Sequence, residues 1–252
     1  MVRSDRTGGE IMNQNMSVII LFQKQALKAI LPVLAAMPVL EGILFFLLTG
    51  SLRANGAFWL EDLVEKSAMW WVFWIAFAAV CILLIRAASD GTGRPSYSLQ
   101  RLAVSPQNLF VCRVLVLMCS FLLLWAVQIL TVFLLLSWVC SNPAYSSFSS
   151  QSVFLAFYRN DFLHNLLPME DWLCWLRNLA LFFGLSTSAA YCTLPQDESE
   201  KKSNLLFLLH IASLINSFSW TLGSNWMNVL AILCSGCCSV IILCKIFRKE
   251  AV

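Results

Sequence analysis

Apolar residues fill this chain in runs too long and too uniform for a strand or a surface helix, and short polar breaks divide the runs. Ser67 to Ile85 holds 19 consecutive residues without Asp, Glu, Lys or Arg, Val114 to Cys140 holds 27, and Ser203 to Cys244 holds 42. About 20 apolar residues cross a bilayer as a helix. The last run therefore predicts two crossings, divided at Thr221-Leu222-Gly223-Ser224-Asn225. Two further runs complete the pattern, giving spans at about 29–49, 67–87, 109–139, 175–194, 204–222 and 225–244. Backbone polar groups in lipid need internal partners, and a helix supplies them within one segment. The predicted fold class is an all-α integral membrane protein with six transmembrane helices, one transmembrane domain over residues 1–252.

The polar breaks carry structure of their own. Residues 16–28, with Lys24 and Lys28, read either as an interfacial helix before the chain enters the bilayer or as the cytoplasmic start of the first span. Between the second and third spans lies a basic elbow, 86–113, with four arginines and one acid. Leu99, Leu102 and Ala103 form an apolar stripe at helical spacing beside Gln100 and Arg101. Ser105-Pro106 then marks a fresh helix start, serine as N-cap and proline at the first helical position. A helix from Pro106 to Trp138 exceeds the bilayer core, so its first turns are expected to project into the cytoplasm. Beyond the third span, the external loop 141–171 contains a predicted amphipathic helix over 151–167.

Composition and charge sharpen this picture. With 59% hydrophobic and 12% charged residues, the chain falls outside the soluble globular class. With a cytoplasmic N-terminus, thirteen of the 17 Lys and Arg residues fall on the inner side, including Arg3, Lys24, Arg86, Lys201 and Arg248. Only Arg53, Lys66, Arg159 and Arg177 fall toward the outer side. That bias predicts both termini inside and a multi-pass protein of the cell (plasma) membrane. Topology accounts for the positive charge, so nucleic acid is not expected as a partner.

Candidate chemistry is sparse. Glu41 lies in the first span with Pro32 and Pro38, and an intramembrane carboxylate marks a candidate functional site. Glu41, Gln128, His210 and Asn216 form the inventory for a possible translocation path, with Asn228 beside them. Gly184 and Ser188, and Ser235 and Ser239 around Gly236, are spaced for close helix packing. The ten cysteines sit mostly in spans, as small apolar residues rather than metal ligands or disulfides. With two histidines, His164 and His210, no H-E-x-x-H helix exists, and no G-x-S-x-G or G-x-x-x-x-G-K-[ST] occurs. No catalytic residue, resident cofactor or metal is therefore expected, and uphill transport would need energy from a separate subunit.

Six spans, an interfacial N-terminal segment and the stretch Ser98-Leu99-Gln100-Arg101-Leu102-Ala103-Val104-Ser105 resemble a permease of the type-two ABC exporter family. The resemblance implies a cytoplasmic ATP-binding subunit as partner, holding ATP and Mg, and a second permease copy or paralogue. It implies that Leu99, Gln100, Arg101, Leu102 and Ser105 couple to that subunit. The chain departs from the family pattern by placing its long external segment after the third span. A substrate-binding component of an uptake system, and a non-transporting membrane enzyme or scaffold, stand as alternatives.

Overall fold

The computed structural model describes residues 8–54, 59–88, 105–142, 148–193, 202–219 and 225–248. Regular structure among them is entirely helical: α1 (Gly8–Ala54), α2 (Leu60–Lys66), α3 (Met69–Ala88), α4 (Pro106–Ser141), α5 (Ser150–Arg159), α6 (Asp161–Leu166), α7 (Trp172–Cys192), α8 (Lys202–Ser219) and α9 (Asn225–Arg248).

The expected interfacial helix and first span are one element. α1 runs for 47 residues through Pro32 and Pro38. Its continuity follows from a stripe in steps of three and four, Val18, Phe22, Ala26, Ile30, Leu34, Met37, Glu41 and Phe45, all buried. The opposite side is just as apolar, with Ile20 59%, Leu31 62% and Leu47 70% exposed. A helix apolar on its outward face belongs in lipid. Four segments are long and apolar enough to cross a membrane: Met16–Gly50, Met69–Ala87, Gln107–Ser141 and Asn225–Arg248. The expected fourth and fifth spans differ. α7 carries Arg177, Asn178 and Ser186-Thr187-Ser188, all buried, and α8 contributes a shorter apolar stretch, Leu205–Phe218.

Packing is organised around α4 and α7. α1 lies along both α3 and α4, α4 packs on α7, and α7 separates α8 from α9, which scarcely touch each other. Gly184 makes this possible, because a Cβ there would collide with Ser235 of α9 and His210 of α8. Ser235 and Ser239 are buried on the same seam, and Ser235 Oγ donates to the Ala180 carbonyl at 2.7 Å. Gly236, by contrast, faces open space. Close approach thus uses Gly184 against Ser235 and His210.

Short helices cap one end of the bundle. α2 is stopped at Ser67, whose N–H donates to the Leu63 carbonyl at 3.0 Å, and Ala68 takes φ 55° to turn the chain into α3. That left-handed value costs about 1 kcal/mol or more for a residue with a Cβ. The helix expected over 151–167 is broken in two at Asn160. Asn160 ends α5 through its N–H to the Ala156 carbonyl and starts α6 by accepting from the Leu163 N–H at 3.1 Å. One asparagine serves as both caps.

Candidate functional site

The turn after α6 would be costly inside a helical bundle, because a six-residue helix leaves its last carbonyls without intrahelical donors. Side chains from two longer helices supply them. Asn178 Nδ2 donates to the Asn165 carbonyl at 2.9 Å, Trp125 Nε1 to Leu166 at 3.0 Å and Trp175 Nε1 to Pro168 at 2.6 Å. Irregular backbone at membrane depth is tolerated where protein buries and pairs it.

Arg177 holds this cluster together. Its guanidinium is fully buried. Nη1 donates to Asn228 Oδ1 at 2.9 Å, and Nη2 to Asn165 Oδ1 and Asn178 Oδ1, both at 3.0 Å. Nε donates to Asn178 Oδ1 at 3.2 Å. Amide dipoles, rather than a carboxylate, therefore face the cation. The path onward runs from Asn228 Nδ2 to Cys174 Sγ at 3.5 Å, and from that thiol to Asp171 Oδ2 at 3.3 Å. Asp171 also caps α7 by accepting from the Leu173 N–H. The result ties α6, α7 and α9 through one side chain. Sequence reasoning placed Arg177 only as an outer-side charge and did not bring Asn165 or Asn178 to it. The available signal was Arg177-Asn178 inside an apolar helix.

The polar residues expected along a translocation path separate into three places. Glu41 on α1 and Gln128 on α4 come together, both fully buried. They interact without closing a hydrogen bond, and neither Glu41 oxygen nor either Gln128 amide atom has a partner among the described residues. His210 lies on a different seam, with Nδ1–H donating to the Leu206 carbonyl at 2.8 Å. Asn216 is on the exposed side of α8.

At the uncapped end, Ser105 accepts from the Asn108 N–H at 3.3 Å, with Pro106 opening α4. Arg113, two turns on, is buried. It donates from Nη1 to Thr193 Oγ1 at 2.6 Å, at the end of α7, and lies 5.0 Å over the Phe22 ring of α1. Gln25 Nε2 donates nearby to the Ala87 carbonyl of α3. Leu99, Gln100, Arg101 and Leu102 lie outside the described residues.

The capped end also contains a cavity of about 320 Å³, lined by Glu61, Val64, Glu65, Trp70, Arg159, Asn160, Asp161, Phe162 and Phe218. The one ion pair among the described residues, Arg159 to Glu61 at 3.2 Å, crosses its wall. No family model, curated protein or solved structure matches the chain.

Proposed function

We propose that this chain is the membrane-spanning subunit of an ATP-driven ABC transporter, acting as an exporter in the cell membrane. In this reading α7 and α8 complete six spans and both termini are cytoplasmic. A separate ATP-binding subunit supplies the energy at the segment before α4, where Leu99, Gln100, Arg101, Leu102 and Ser105 make the contact. A second permease copy or paralogue completes the path, and the Glu41–Gln128 pair lies along it.

The single observation that carries this reading is the build of the uncapped end. α4 has 36 residues, about 54 Å at 1.5 Å per residue, against a hydrocarbon core of about 30 Å. It starts on a capped turn within the polar elbow. Two turns later Arg113 joins it to α1 and α7. A push on the elbow would reach three helices as a rigid body, the kind of transmission a soluble motor needs. The test is co-purification with an ATPase and stimulation of its hydrolysis. Arg101→Glu together with Leu102→Asp is expected to abolish both, and retention of both would sink the reading.

The capped-end cavity favours one other reading, a substrate-binding component of an uptake system. Such a component binds its ligand tightly without any ATPase present, whereas an exporter subunit alone binds weakly.

A further inference from the structure

The cavity at the capped end is built from two kinds of wall. One is acidic: Glu65 and Asp161 are both exposed along its rim, and neither takes part in the Arg159–Glu61 ion pair. With three carboxylates against one guanidinium, the lining carries an excess of two negative charges. The other wall is aromatic, formed by Trp70, Phe162 and Phe218. Phe218 is fully buried and continues into the bundle, its ring centroid 6.3 Å from Phe73, 6.0 Å from Trp74 and 6.5 Å from Phe182. The floor is therefore rigid and anchored to α3 and α7, while the acidic rim comes from α2 and the α5–α6 joint.

We propose that this cavity binds an organic cation with an apolar body, such as a quaternary ammonium carrying one aromatic ring. Carboxylates at the rim attract the charge, and the half-buried Trp70 ring offers its face to the cation and its hydrocarbon, with the buried Phe162 and Phe218 behind it. A volume of about 320 Å³ is at the small end of ligand pockets, which sets the size of the guest. Free metal ions are poorly served here, because among the described residues the carboxylates are not gathered closely enough to hold one. An anion is excluded by the charge balance. The assignment stands apart from the transporter reading: loss of ATPase stimulation would leave it intact, and absence of cation binding would leave the coupling elbow intact.

The experiment is equilibrium binding of radiolabelled benzyltrimethylammonium to the full chain in phosphatidylcholine nanodiscs, which have no net lipid charge. One saturable site is expected, with benzenesulfonate failing to compete. Glu65→Gln and Asp161→Asn should each weaken binding several-fold, and the double variant by about tenfold. Glu170→Gln, an exposed carboxylate outside the cavity, should leave it unchanged. Absence of saturable binding overturns the proposal, as does equal competition by benzenesulfonate. Since the competition uses the unaltered chain, it decides the matter even where a variant folds poorly.

Discussion

At the α6–α7 turn the Arg177 guanidinium meets three asparagine carbonyls, whereas between α1 and α4 the Glu41 carboxyl and the Gln128 amide face each other with no hydrogen bond completed. Both sites are fully buried, so solvent does not distinguish them. The distinction is in what each would cost to dismantle. Removing one member of a satisfied network leaves buried groups orphaned, while removing both members of an unsatisfied pair relieves a cost already present. A satisfied network thus stabilises the bundle. An unsatisfied pair burdens it, and a place in the proposed translocation path would give it a reason to persist.

The largest effect should come from Arg177→Met. Asn165, Asn178 and Asn228 would all lose the Arg177 donor, and leaving a buried acceptor unsatisfied costs about 1–3 kcal/mol for each. Reversible denaturant unfolding of the full chain in micelles measures this. Arg177→Lys, which keeps the charge but not the planar fork, should fall between Met and the unaltered chain. Equal stability of all three would show that the network contributes little.

The second measurement compares Gly184→Ala with Gly236→Ala. The new methyl at 184 drives Ser235 from its bond to Ala180 or displaces the His210 ring, for a loss of about 1–3 kcal/mol. At 236 nothing lies within 4 Å, so the better helix propensity of alanine should gain up to about 1 kcal/mol. Glu41→Leu combined with Gln128→Leu should resemble the second case, leaving stability unchanged or higher, because an unpaired polar pair gives way to packed apolar atoms. Any proposed transport should be lost in the same variant. A substantial drop in stability would instead place Glu41 and Gln128 with the Arg177 network.

Much of the bundle was legible in the chain because lipid demands apolar surface on every side of a helix, and that demand leaves long charge-free runs. The exceptions have physical causes. In sequence, residues 16–28 read as apart from the first span or as its start, and the stripe from Val18 to Phe45 holds one helix through both, with Pro32 and Pro38 inside it. α2 has only seven residues, too few for periodicity to register. The break at Asn160 rests on a side-chain cap that competes with helix continuation, and residue-level propensity over 151–167 does not show which wins. The Arg177 site was hidden for another reason. Asn165, Asn178 and Asn228 meet it from 12, 1 and 51 residues away, and only the turn after α6 and the packing of α9 on α7 bring them together.

The smallest predicted effect lies at the uncapped end, where Ser105 terminates the backbone of α4. Ser105→Ala removes the acceptor of the Asn108 N–H, and losing such a cap costs about 1 kcal/mol. The loss should stay local. Arg113 pins the next turns to Thr193 and Phe22, so fraying is expected to stop before it. Hydrogen exchange should therefore quicken at Asn108 and Leu109, whose amides bond to Ser105, while amides beyond Arg113 keep their protection. Arg113→Met with Ser105 intact should give the reverse, a protected first turn on a helix less firmly tied to α1 and α7. If Ser105→Ala loosens α4 well past Arg113, the guanidinium is no anchor, and a push on the elbow would dissipate before reaching the other two helices.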